Sequence, residues 1–365
     1  MFKYILFIPL LIISCTIGNF SDINRGEERL FLYAGTAFNY DILVFEVDQK
    51  SDTLNQKSAY YTGGTINKII FDYENKRLFA ASSYDIYGFD IMDNGNLELL
   101  PGYPITHSNI ITDIVFTHNY NFLMAVTDVN TDLYGYKYSR DAGTMTPLVA
   151  GGIIGTLPES PSVLQSINSN DGFMFYSSTA AGWYMTGIDD FGNYTGSVLM
   201  TNLAGNIYAS TLAYNKYLVR YRSNASPPPY INTHVQLFAA DTGEIGPIQT
   251  FGDNSPGGFN YSVFGEYHGK LYYSHNAETG IYTLAIDQSG NVESNPAYNP
   301  ASYSDITVIA DDPAGEYLML ASVAGMPSML GLMKLNESGY PDSGVFSTSS
   351  INDVIVKLEF FRYEN

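Results

Sequence analysis

The 365-residue chain has a single cysteine, Cys15. No disulfide can therefore close within it, and packing must hold the fold together. It has a single tryptophan, Trp183, and 17 lysines and arginines against 37 carboxylates, a net charge of −20. That balance argues against nucleic acid as a partner. The five histidines show no His-x-x-x-His or His-Glu-x-x-His spacing, so a zinc site is not expected. The sequence also lacks an Asp-x-Asp-x-Asp-Gly calcium loop, a Gly-x-Ser-x-Gly elbow, a P-loop and a dinucleotide fingerprint. No metal or cofactor is expected. Long apolar runs are scarce as well: the run from Tyr4 to Ile13 is too short to span a bilayer as a helix.

What the chain does have is a repeat. A turn glycine returns at Gly95, Gly143, Gly192, Gly243, Gly290 and Gly339, in steps of 47 to 51 residues. Each follows an Asp or Asn, as in Asp93-Asn-Gly95 or Asn336-Glu-Ser-Gly339, and each lies between apolar runs. Asp/Asn-Gly between such runs signals a β-hairpin, and a period of this size marks an array of like units. Short aromatic and β-branched runs precede each turn, for example Ile66 to Phe71, Leu78 to Ala81 and Tyr87 to Ile91, and Leu97 to Leu100 follows one. These have the composition of strands, and no stretch beyond the N-terminus carries a 3.6-residue period.

Four strands in about 47 residues is one propeller blade, and residues 30–360 hold about seven such units. The first run, Leu30 to Tyr33, matches a second strand. The last, Val354 to Phe360, matches a first strand with nothing after it. The expected fold is an all-β, seven-bladed propeller of four-stranded antiparallel blades. Its C-terminal strand pairs into the N-terminal blade and removes the open edges.

Units such as Asn75-Lys-Arg-Leu-Phe-Ala80, Ile86-Tyr-Gly-Phe-Asp-Ile91 with Gly95-Asn-Leu97, and Gly315-Glu-Tyr-Leu-Met319 resemble the seven-bladed propellers of the lactonase-like, YVTN-repeat family over about residues 30 to 360. Enzymes of that resemblance, 6-phosphogluconolactonase among them, use an acidic residue with Arg and His at a central pocket. They also carry His-rich and Asp-Leu-Gly-x-Asp-like segments. The corresponding stretches here read Ser166-Ile-Asn-Ser-Asn-Asp171 and Ser177-Ser-Thr179, and the chain has seven arginines.

Residues 1–14 read as a signal peptide, with Lys3 before the apolar run. Its end, Ile12-Ile-Ser-Cys15, resembles the bacterial lipobox, which implies acylation of Cys15. Several acyl chains give stable membrane anchoring. Residues 15–28 then form a tether and 29–365 one domain. The expected location is the bacterial cell envelope, at the outer membrane or the cell surface, as a lipid-anchored monomer.

The Asp/Asn-Gly hairpins are short and uniform, whereas the loops on the opposite face, including connectors between blades such as Pro101 to Ile110 and Val149 to Pro161, read as long and irregular, so binding is expected on the loop-rich face. Trp183 stands there, as does Tyr230 in the insertion Ser223 to Thr233 with Pro227 to Pro229. Arg220 and Arg222 share one side of a strand and could hold an anion or pair with carboxylates. Asp113, Asp353 and Lys68 start innermost strands at what read as matching places, with Asp305 nearby, so these groups could ring the tunnel mouth and hold a cation or polar ligand, or else cap strand ends and bind water. The first functional expectation is a non-enzymatic module that binds a protein or glycan. The second is a lactonase-type hydrolase with its site at the tunnel mouth, and the third is a subunit of an envelope assembly machine.

Overall fold

The computed structural model describes residues 28–117, 119–128, 131–159, 163–166, 173–178, 182–202, 207–214, 217–223, 231–238, 245–253, 259–275, 280–293, 297–300, 306–322, 327–342 and 348–363. Among the described residues there are thirty strands and no helix. The strands form seven antiparallel sheets, named A to G here in chain order. Cys15, Tyr230 and Asp305 lie outside the described residues.

In each sheet a first strand pairs with the second, the second with the third and the third with the fourth. The first strands are Ile66–Asp72 in B, Ile111–Phe116 in C, Val163–Ser166 in D, Ile207–Ala213 in E, Phe259–Gly265 in F and Ile306–Asp311 in G. Sheet A draws its first strand from the far end of the chain. Ile355–Tyr363 runs antiparallel to Arg29–Thr36, with Leu32 opposite Phe360 and Ala34 opposite Leu358. Each of these seven strands lies beside the first strands of the two neighbouring sheets, A beside B and so on to G beside A, which closes a ring. The pairing of the last strand with Arg29–Thr36 is the closure expected from the sequence.

Alternation along a strand explains the core. Leu30, Leu32 and Ala34 pack toward sheet G, against Val308, Ala310 and Met319. Phe31 and Tyr33 point the other way, against Ile69, Phe71 and Leu78 of sheet B. Further clusters sit between B and C, C and D, E and F, and F and G. Sheets A, B, C, F and G are thus buried on both faces, which is why a second strand reads as an unbroken apolar run, as in Leu78 to Ala81. A large side chain buried in this way contributes about 2 kcal/mol.

The hairpin glycines have the conformation their spacing suggested. Gly95 has φ +81°, and Gly143, Gly192, Gly290 and Gly339 are also positive. A Cβ at Gly95 would enter the ring of Phe31 in sheet A, so two demands meet at this glycine. The preceding Asp or Asn closes several turns: Asp287 Oδ1 accepts the amides of Ser289 and Asn291, each at 2.8 Å. Gly243 lies outside the described residues.

One expectation needs correction. Some connectors between sheets, expected as irregular loops, contain strand. In sheet B, Leu97–Leu99 pairs with the lower half of the third strand, and Ile105–Thr106 then pairs with its upper half. In sheet C, Thr144–Pro147 and Ile153–Thr156 divide the pairing in the same way. The outer strand is broken by Pro101-Gly102 in one case and by Gly151-Gly152 in the other, where the positive φ of Gly102, Gly151 and Gly152 departs from strand backbone.

Candidate active site

A recurring bulge sets the register of the first strands. In sheet B the pairing steps from Ile66–Ser82 to Lys68–Ala81 and leaves Asn67 as the extra residue. The same step occurs from Ile111 to Asp113 in sheet C, from Ile306 to Val308 in G, and from Ile355 to Lys357 in A. Bulges of this kind re-aim side chains and are frequent at functional sites. The extra residues are held by the backbone: Asn67 Nδ2 donates to the Ile111 carbonyl at 2.6 Å and Thr112 Oγ1 to the Val126 carbonyl at 3.3 Å. The bulges put Lys357, Lys68, Asp113 and Val308 at one level of the ring.

Lys68 Nζ lies 3.6 Å from Asp113 Oδ1. Asp113 is 4% exposed, and its Oδ1 also accepts the amide of Ile114 at 2.8 Å. Glu359 follows Lys357 by two residues and so faces the same side of the strand, about 7 Å along it. Both remain partly accessible to water although protein surrounds them. Burial raises the Glu359 carboxyl to about 7, against the opposing pull of Lys68 and Lys357. Burial, and then the Lys68 charge, pushes the Lys357 ammonium below its ordinary range, while Asp113 and Glu359 act the other way. A carboxylate titrating near neutrality beside cations has the properties of a general base.

Of the residues singled out in the sequence, Asp113 and Lys68 come together. Asp353 does not stand at their level, because it precedes Ile355 by two residues, so Lys357 is the residue that matches Asp113. The Asp353 carboxylate accepts the amides of Phe38 at 3.0 Å, Asn39 at 2.7 Å and Val354 at 2.6 Å. It clamps the loop between the second and third strands of sheet A to the start of the closing strand. Trp183 lies in Gly182–Ile188, opposite Ser177 and Thr201. Arg220 and Arg222 lie in Tyr217–Ser223, opposite His234 and Asn232. The side chains of these three lie outside the described residues.

Sequence reasoning missed Lys357 and Glu359. Their signal was present in Val356-Lys-Leu-Glu-Phe360, where two charged residues alternate with apolar ones in a strand that has to be innermost. His107 is buried, with Nε2 2.8 Å from the Tyr136 hydroxyl and its ring edge-on to Tyr134, and burial lowers its pKa. Its imidazole is thereby engaged by the third strand of sheet C. No group of three or more His, Cys, Asp or Glu among the described residues is arranged to hold a metal ion.

No protein-family model matches the chain, and no curated protein matches its sequence. Its shape is similar to that of solved structures. A candidate 6-phosphogluconolactonase from Bacteroides uniformis is 16% identical with a TM-score of 0.70, over 91% of this chain and 99% of that one. Another, from Bacteroides fragilis, is 14% identical with a TM-score of 0.70, over 93% and 99%. The periplasmic gluconolactonase of Pseudomonas aeruginosa is 14% identical with a TM-score of 0.69, over 91% and 99%. At these identities the likeness is one of fold, and the chain is an all-β propeller of lactonase-like shape.

Proposed function

We propose that this chain is a lactonase-type hydrolase working in the central channel of a seven-bladed propeller. The observation that carries the reading is Glu359, a carboxyl raised to about 7 and placed among Lys357, Lys68 and Asp113. Solved structures named as gluconolactonase or candidate 6-phosphogluconolactonase share the fold and support this reading over a purely binding role. The expected recognition loop, 223–233, falls mostly outside the described residues.

In this reading the Glu359 carboxylate takes a proton from a water as its oxygen attacks the lactone carbonyl carbon. The Lys357 ammonium, with Lys68 beside it, offsets the negative charge that develops on the carbonyl oxygen. The tetrahedral intermediate collapses, the bond from carbon to ring oxygen breaks, and the ring oxygen leaves as a hydroxyl with the proton held by Glu359. The product is the open hydroxy acid. Asp113 holds Lys68 in place.

The test is hydrolysis of a panel of five- and six-membered lactones by the domain from residue 28 onward. Glu359→Gln should lower kcat by about a hundredfold or more, the range for loss of a general base. Turnover of no lactone by the wild-type domain rejects the reading. We also propose that Cys15 is acylated and holds the domain at the bacterial envelope, which Cys15→Ser would test by releasing the protein from membranes.

A further inference from the structure

The charged cluster on the first strands has no surplus of cations. Lys68, Lys357, Asp113 and Glu359 act on one another, two of each sign, and Lys68 is already within 3.6 Å of Asp113. The other described guanidinium groups are engaged elsewhere. Arg29 pairs with Glu46, Arg77 with Asp90, Arg140 with Asp72 and Glu74, and Arg362 with Asp312, Glu316 and Glu28. Two of these arginines also reach the hairpins, at the other end of the sheets from the bulges: Arg29 donates to the Asp93 carbonyl and Arg77 to the Asp141 carbonyl. The whole chain carries a net charge of −20.

A phosphate ester brings close to two negative charges, and proteins bind such groups with surplus cations, most often bidentate arginine. Among the described residues the channel has no surplus. An entering phosphate dianion would have to draw Lys68 away from Asp113 and would meet Glu359 as a like charge. A lactone without an ionised group meets neither cost, and its hydroxyls can take hydrogen bonds from both lysines and give them to both carboxylates. The field of the acidic surface also repels anions and leaves neutral molecules unaffected.

We infer that the channel selects uncharged polyhydroxy lactones over their phosphate esters. This rests on the hydrolase reading. It makes Asp113 a specificity residue, because Asp113 cancels the Lys68 charge that an anionic substrate would need.

The experiment compares kcat/KM for glucono-1,5-lactone and for its 6-phosphate on the same domain, each corrected for spontaneous opening. The wild type should favour the uncharged lactone by at least about tenfold, the effect of one unfavourable charge contact of roughly 1.4 kcal/mol. Asp113→Asn should move the ratio toward the phosphate ester, mainly through a lower KM for that substrate. Equal turnover or preference for the ester overturns the inference and leaves the hydrolase reading standing. Turnover of neither substrate overturns both. A wild-type preference that Asp113→Asn leaves unchanged, in a variant with wild-type melting behaviour, overturns the role given to Asp113.

Discussion

The Tyr33 hydroxyl donates to the carbonyl of Gly95 at 2.8 Å, from the second strand of sheet A into the hairpin of sheet B. The arrangement recurs: Tyr103 of sheet B reaches Gly143 of sheet C at 3.1 Å, and Tyr272 of sheet F reaches Gly339 of sheet G at 2.8 Å. The repeated glycine therefore shapes its own turn and also offers a buried acceptor to the sheet before it. Tyr33→Phe should cost about 1–2 kcal/mol in urea unfolding, since the carbonyl stays buried without its donor. Gly95→Ala should cost more, because the left-handed backbone and the Phe31 ring both oppose a Cβ. A Gly95→Ala protein as stable as the wild type would contradict this reading.

Arg362 fastens the closing strand. Its guanidinium pairs with the fully buried Asp312 of sheet G, with Glu316 and with Glu28 at 2.8 Å. Arg362→Met leaves the Asp312 charge buried without its partner and should cost about 3–5 kcal/mol. Lys334→Met, which breaks the exposed pair with Asp52 at 3.1 Å, should cost less than about 1 kcal/mol. Equal losses in the two variants, measured by chemical denaturation, would remove the special role of the Arg362 clasp.

Asp353→Ala removes three charge-assisted amide bonds at the ring junction and should cost on the order of 3 kcal/mol. Lactone kcat should stay at the wild-type order of magnitude when measured well below the melting temperature. A variant that is stable yet inactive would return Asp353 to the substrate site.

Asp311 at the end of the first strand of sheet G is raised to about 8 by burial and by neighbouring Asp312. Its Oδ1 has no hydrogen-bond partner. A carboxyl raised on folding contributes stability below its unfolded pKa and loses that contribution as pH rises through the folded value, here from about 4 to about 8. Asp311→Asn should therefore gain more than about 1 kcal/mol on the wild type between pH 5 and pH 9. Parallel stability curves for the two proteins over that range would contradict the shift.

Much of the architecture was legible because it depends on spacing. The glycine period fixed the hairpins, and the unmatched runs at Leu30 and Val354 identified the closing strand. The site was less legible, because the sequence does not mark where the last innermost strand begins. From sequence Asp113 and Asp353 appeared equivalent, whereas pairing in sheet A starts two residues after Asp353, and the register aligns Asp113 with Lys357. The alternation in Val356-Lys-Leu-Glu-Phe360 marked Glu359 as a charge on an innermost strand, but its raised titration comes from enclosure by sheets distant in sequence, which that local pattern does not report. Pro101-Gly102 and Gly151-Gly152 looked like loop signals and proved to be interruptions within outer strands.

The decisive measurement is the pH profile of kcat/KM for lactone hydrolysis by the wild-type domain and by Glu359→Gln. A general base acts when deprotonated, so wild-type kcat/KM should rise with pH through about 7 and level off above it. Glu359→Gln should lose that limb and about a hundredfold or more of the rate. A flat wild-type profile across pH 6 to 8, or a Glu359→Gln enzyme that keeps the wild-type rate and profile, would contradict catalysis by Glu359 in the channel.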